Sequence, residues 1–127
     1  MEEEYNQLIR SNPDDFSLLT IRGLAQFYLN DFQGAIEDCS RAINIAPDQP
    51  WAYFIRGNAN VNLGFYNQGL EDYNMALSID DSLDKSYFNR GILKFLMGNP
   101  MEGCNDLWSS RDLGYDEAID KTDKFCQ

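Results

Sequence analysis

Catalysis and metal binding ask for residues that this chain lacks or does not group. It contains no histidine, the commonest general base and metal ligand, and no Gly-rich phosphate loop, paired-cysteine knuckle or nucleophile elbow. Its 21 acidic side chains are numerous, but those that recur do so at one fixed spacing, whereas a catalytic pair belongs to a single place. The expectation is a protein that is not an enzyme and uses no cofactor.

Two sets of side chains do carry meaningful spacing. Arg22, Arg56 and Arg90 each precede a glycine, and Asp38, Asp72 and Asp106 follow sixteen residues later. Two helices folded antiparallel about the turn between them bring these rows to similar heights, so structural ion pairs are expected, within a unit or across to the next. Partly buried pairs of this kind fix register more than they add stability, and an anion site would need arginines left unpaired. Cys104 and Cys126 form the second set. Antiparallel helices turning near Gly114-Tyr115 set residues whose numbers sum to about 230 opposite each other, and these two do. A disulfide is open to them on that geometry, although in a cytosolic chain two neighbouring thiols are the expected state. No other ligand accompanies them, so metal is not expected. Cys39 shares a column with Tyr73 and Leu107 and reads as a small core residue.

What positions these residues is an internal repeat. Residues 50–83 repeat 16–49 at an offset of 34, with nine of 34 pairs identical: Ile21/Ile55, Arg22/Arg56, Gly23/Gly57, Ala25/Ala59, Leu29/Leu63, Glu37/Glu71, Asp38/Asp72, Ala42/Ala76 and Ile45/Ile79. Tyr53-Phe54, Arg56-Gly57 and Gly64 return again as Tyr87-Phe88, Arg90-Gly91 and Gly98. Such a period means stacked supersecondary units. Apolar spacing and breakers predict helices over about 2–11, 15–29, 33–46, 50–63, 67–79 and 116–126. Between the last two, a third pair opens at Asp81-Ser82, and its second helix runs from Pro100 to Leu113. Asp14 or Asp15, Asp48 and Asn99 are the expected caps. The single domain 1–127 thus divides into an N-terminal helix or partial repeat (1–14), repeats at 16–49, 50–83 and 84–115, and a C-terminal capping helix (116–127), with Ala118, Ile119 and Phe125 expected toward the body. Small residues at fixed phase, Gly23/Gly57/Gly91, Ala35/Gly69/Gly103 and Ala42/Ala76/Ser110, mark where helices approach closely. Glycine within a helix costs roughly 1 kcal/mol against alanine, so its recurrence needs a packing reason.

The net charge of -11 repels phosphate backbones and anionic lipid, so neither nucleic acid nor membrane is an expected partner. A neutral or basic protein or peptide fits better, although acid also serves simply to keep an extended repeat protein soluble. No apolar run is long enough to span a bilayer, and Met1-Glu2-Glu3-Glu4 is the opposite of a signal peptide's basic start, so a cytoplasmic location is expected. Pro13 lies 34 residues before Pro47, so Tyr5 to Pro13 reads as the end of a preceding unit and the chain as a segment of a longer protein.

Through Gly23, Ala35, Ala42, Pro47, Tyr53, Gly57, Tyr73, Ala76, Tyr87, Gly91 and Ser110, nearly the whole chain resembles the tetratricopeptide repeat. The stretch Gly103-Cys104-Asn105-Asp106-Leu107-Trp108, with Leu113-Gly114 and the closing Phe125-Cys126, looks like the C-terminal end of bacterial proteins of that family. The resemblance implies an all-α, right-handed superhelical solenoid of antiparallel helix pairs. It also implies that the first helices line a concave groove for an extended peptide or a partner's helix. On that face should lie Thr20, Leu24 and Phe27; Trp51, Phe54, Asn58 and Asn62; and Lys85, Phe88, Asn89 and Ile92. Trp51, Phe54 and Phe88 are the expected anchors, and the asparagines the groups that would bond a peptide backbone. One subfamily clamps a C-terminal carboxylate with Lys, Asn, Asn and Arg where this sequence has Thr20, Leu24, Ile55 and Asn89, and only Lys85 matches, so chaperone tails are not expected. The function read from the sequence is a non-catalytic protein-interaction module. The alternatives are a structural or self-associating scaffold that forms homo-oligomers, and a lesser thiol-based role for Cys104 and Cys126.

Overall fold

A computed structural model describes residues 2–126, with Glu2 described by its backbone alone. Eight helices occupy nearly all of these residues, with no strand among them: α1 Glu2–Ser11, α2 Phe16–Tyr28, α3 Phe32–Ile45, α4 Pro50–Asn62, α5 Tyr66–Ile79, α6 Asp84–Leu96, α7 Pro100–Asp112 and α8 Asp116–Phe125. The expected boundaries shift by one or two residues at most. Each long pair turns through a residue in the left-handed region: Asn30 at φ 63°, then Gly64 at 84° and Gly98 at 87°. Glycine and asparagine are the residues that adopt this conformation at least cost, which is why the turns fall there.

The caps depart from expectation. Asp15 caps α2 by accepting from the backbone N–H of Ser17 and Leu18, and Asp31 caps α3 through Gly34. Asp48 does not cap α4: its carboxylate accepts from the Gln49 side chain at 3.3 Å, and Gln49 occupies the cap position without a side-chain bond. Asn99 stands at the cap of α7 but makes no capping bond, and α6 begins only after Leu83. Proline as first residue of α4 and α7 presets φ and has no N–H to leave orphaned, which makes a side-chain cap less necessary.

Helices pack as antiparallel neighbours in chain order and stack into a right-handed solenoid, with α2, α4 and α6 parallel on the inner side. Close approach explains the small residues. A Cβ on Gly91 would come within 2.9 Å of the Gly103 carbonyl, and one on Gly103 within 2.8 Å of the Gly91 carbonyl, so these two backbones touch. One apolar core of Leu19, Tyr53, Tyr73, Leu77, Leu83 and Leu93, among others, runs from Ile9 in α1 to Leu93 in α6, and a second, around Phe88, Leu107, Ala118 and the two bonded cysteines, closes the C-terminal end. In α8 the body-facing residues are Ala118 and Thr122, both buried. Ile119 is exposed, contrary to expectation, and Phe125 lies largely in solvent beside Phe95 and under Lys121.

Candidate binding groove

On the outer side of the inner helices lies a strictly periodic row. Arg22, Arg56 and Arg90 pair with Asp38, Asp72 and Asp106 at 2.5, 2.8 and 2.7 Å. The guanidinium grips both carboxylate oxygens, the bidentate form that adds geometric specificity. All three carboxylates are buried. A second donor holds each from the first helix of its own pair: Asn60 for Asp72 at 3.1 Å and Lys94 for Asp106 at 2.9 Å. For Asp38 that donor is Gln26 at 2.9 Å, with its amide nitrogen turned inward. The arginines reach back to the preceding helix as well, to Asn6, Ser40 and Asn74. The pairs are therefore within a unit, and neutral bonds connect one unit to the last. In the middle pair burial lowers the affinity of Arg56 for its proton, but the hydrogen bond and charge of Asp72 outweigh it and the net shift is upward.

The inner faces of α2, α4 and α6 form a cleft of about 830 Å³. It brings together all eleven side chains expected on a groove: Thr20, Leu24, Phe27, Trp51, Phe54, Asn58, Asn62, Lys85, Phe88, Asn89 and Ile92. Their roles differ from expectation. Phe54 and Phe88 are only 8% and 9% exposed; they are the floor, held by Tyr73 at 6.0 Å and by Tyr115 at 5.1 Å between ring centres. Trp51, 49% exposed and set edge-on to Phe54 at 5.6 Å, stands open to solvent at the cleft, as do Ile21, Leu24, Tyr28 and Leu96.

The asparagines are half committed. The Tyr73 hydroxyl donates to Asn58 Oδ1, and Asn89 Nδ2 donates to the same oxygen at 2.8 Å, while Asn62 Nδ2 donates to the Asn58 carbonyl at 2.9 Å. Burial raises the Tyr73 hydroxyl well above the usual tyrosine range, with Asn89 opposing. Asn58 Nδ2 and the side-chain carbonyls of Asn62 and Asn89 keep their hydrogen-bonding capacity.

Several lining residues escaped the sequence reading. Leu96 shares the column of Asn62, and Ile21 that of Asn89, so the 34-residue offset applied to every groove position finds them. Tyr73, from α5, and Tyr115, from the start of α8, lie off the first helices and carry no periodic signal.

Charge lies around the cleft rather than in it. None of its lining residues is acidic, and Lys85 is the single charged one. Because α2, α4, α6 and α8 all start on the same side, their N-terminal ends form one edge, where Asp14, Asp15, Asp48, Asp80, Asp81, Asp84, Asp112, Asp116 and Glu117 stand together with Arg10, Lys85 and Arg111. Asp80 is held below the usual carboxylate range by the Ser82 hydroxyl and N–H, and burial next to Glu117 raises the Tyr115 hydroxyl. The opposite edge, at the three left-handed turns, carries Asp31 in its loops and Glu3, Glu4 and Glu102 in the first turns of α1 and α7, and exposes Tyr28, Leu29, Phe65, Leu96 and Met101.

Cys104 and Cys126 are bonded, with Cα atoms 5.6 Å apart, rather than standing as the two thiols expected; the bond ties the end of α8 to α7. Cys39 is a free, buried thiol whose pKa is raised from 9.0 to about 12 by burial and then by Asp38. Among the described residues no group of cysteines and carboxylates could hold a metal ion.

The family model of the TPR repeat matches residues 23–64, which run from the middle of α2 to the end of α4. Solved structures extend the likeness to most of the chain. A crystal structure of MamA superposes with a TM-score of 0.83 at 16% identity, covering 89% of this chain and 66% of that one, so the chain spans about two thirds of its length. The first TPR domain of human RPAP3 gives 0.83 at 23% identity, covering 89% and 91%. The first TPR of Spaghetti (RPAP3) bound to the HSP90 peptide SRMEEVD gives 0.81 at 22%, covering 87% and 89%. No curated protein matches the sequence. The chain therefore contains a stretch that matches the tetratricopeptide repeat and has the fold of a tetratricopeptide-repeat solenoid.

Proposed function

We propose that the protein binds a peptide or a partner's helix in the cleft of α2, α4 and α6. The observation that carries this is the cleft itself: a continuous trough of about 830 Å³ that leaves Ile21, Leu24, Tyr28, Trp51 and Leu96 exposed in one place, where isolated exposed apolar residues would mean nothing. TPR domains are typically non-catalytic interaction modules, and one similar domain is solved with a bound peptide. An acidic tail such as that peptide suits this groove poorly. Its one cation is Lys85, and Thr20, Leu24, Ile55 and Asn89, which all line it, offer no further positive charge.

The test is selection from a random peptide library displayed on phage. Leu24→Glu with Leu96→Glu changes two exposed positions, so the fold should melt as before while selected peptides lose binding at least tenfold. Full binding by the variant sinks the reading. Phe54→Ala would be a poor probe, because removing a buried ring costs about 3 kcal/mol or more.

Self-association is the second reading, favoured by the apolar edge with Met101 at 83% exposure; a monomer in sedimentation at tens of micromolar removes it. No helix among the described residues is long and apolar enough to cross a membrane. The cytoplasmic location expected from the sequence and the Cys104–Cys126 bond favour opposite compartments, since cytosolic thiols are held reduced. Alkylating the protein at the moment of cell lysis and counting free thiols decides between them.

A further inference from the structure

We infer that the Cys104–Cys126 bond is a redox latch on the groove. Closed, it holds α8 in place as the wall at one end of the trough; opened by a dithiol reductant, it releases α8 and lowers the affinity of the trough for its ligand. The inference rests on the groove being the binding surface and adds how its occupancy is regulated. In the opening step a thiolate of the reductant attacks one sulfur, forms a mixed disulfide with that cysteine and expels the other as a thiolate. The reductant's second thiol then displaces the bound cysteine, so the reductant leaves as a disulfide and the protein has gained two electrons and two protons.

The placement of α8 carries it. Tyr115, the cap residue at its start, lines the trough and meets the Phe88 floor edge-on at 5.1 Å, so this helix bears part of the site. The loop holds Tyr115 through its N–H, on the Ser110 carbonyl at 3.2 Å, and the direction of the ring is set by the chain continuing into α8. Little besides the bond keeps α8 where it is. It is 10 residues long, a length at which a helix is marginal alone, and its start has no side-chain cap. Of its side chains only Ala118 and Thr122 are buried, while Ile119 and Phe125 lie exposed. Arg111 reaches Thr122 at 3.0 Å and Asp123 at 3.3 Å, and the second of these is an exposed pair of the kind that contributes little. The bond is therefore the strongest tie, and it pins the end of α8 at Cys126, the end away from Tyr115. With it open, a ligand either forgoes the Tyr115 wall or must order α8 as it binds, which costs conformational entropy. Linkage makes the effect reciprocal: a ligand that prefers the closed form makes the bond harder to reduce by the same factor.

The probe is a peptide selected from the same library on the oxidised wild type. The protein is compared oxidised, reduced with dithiothreitol, and as Cys104→Ser with Cys126→Ser. Hydrogen exchange should show the amides of α8 losing about tenfold of their protection on reduction, with those of α2 to α5 unchanged. Peptide affinity should fall about fivefold in the reduced protein, equally in the serine variant, and the serine variant should not respond to reductant. Saturating peptide should shift the equilibrium of the bond with dithiothreitol toward the closed form by that same factor. Tyr115→Ala, which leaves the bond in place, should bind the peptide alike in both redox states, and a redox response kept by this variant would overturn the inference. So would an α8 that stays protected on reduction. Equal affinity in the two states for a peptide that needs Leu24 and Leu96 would overturn it while leaving the groove reading standing. Failure to recover any peptide that needs Leu24 and Leu96 would overturn both.

Discussion

The chain's two tryptophans stand on two surfaces that follow opposite rules. Trp51 and Trp108 are almost equally exposed, at 49% and 43%, but Trp51 borders the trough on α4 while Trp108 sits on α7, outside it. Around the outer helices the residues that matter repeat: each Arg–Asp pair has the same spacing and the same bidentate grip. In the trough some aligned positions are kept, as Ile21 with Ile55 and Phe54 with Phe88, while others differ, as Leu24, Asn58 and Ile92 or Tyr28, Asn62 and Leu96. Stacking makes the same demand at every unit and so is met by the same residues. Binding would make a different demand at each point along a ligand, and the proposed groove accounts for the trough positions at which the copies diverge.

The sharpest way to break this comparison is to remove one member of the row. Asp72→Ala leaves Arg56 partly buried without its partner and should cost about 3–5 kcal/mol in urea unfolding. If the row is structural throughout, Asp38→Ala and Asp106→Ala should fall within about 1 kcal/mol of it. A loss confined to one of the three would show that the periodicity is not mechanical. Next in size is the C-terminal bond. Cys104 and Cys126 are 22 residues apart, and opening a loop of that length should cost about 3 kcal/mol. Reduction by dithiothreitol should lower the urea midpoint of the wild type and leave that of Cys104→Ser with Cys126→Ser unmoved.

Smaller effects test individual columns. Ser86 is buried with no hydrogen-bond partner for its hydroxyl, and the preceding unit has Ala52 at the same position. Ser86→Ala should stabilise by about 1 kcal/mol, because an unpaired buried hydroxyl carries an uncompensated desolvation penalty. A further test is a pH dependence confined to the alkaline range. With its pKa raised from 9.0 to about 12, the Cys39 thiol contributes stability that is fully present below about pH 9 and is lost as pH rises toward 12. Melting temperature should therefore fall more steeply across that window in the wild type than in Cys39→Ala. Parallel slopes would contradict the burial that separates Cys39 from the titrating surface.

Most of the scaffold was legible because its physics is local or periodic. The glycine columns, the turn residues and the Arg–Asp spacing all follow from what a helix pair must do wherever it occurs. The caps at Asp48 and Asn99 were misread because proline at the start of α4 and α7 removes the need that a cap would meet. In the groove, Phe54 and Phe88 were taken for ligand anchors, and only packing against Tyr73 and Tyr115 shows them as floor. Those two tyrosines come from α5 and from the start of α8, and a period along the first helices carries no information about them. The Cys104–Cys126 pairing was open on arithmetic, whereas its redox state depends on surroundings that spacing does not encode.

The most direct measurement uses the two indole N–H signals in an NMR titration with a library-selected peptide. Binding in the trough predicts a progressive shift of the Trp51 signal with Trp108 unmoved. A shift of Trp108 with Trp51 unmoved would place the ligand on the outer helices and contradict the assignment of function to the surface where the repeats differ.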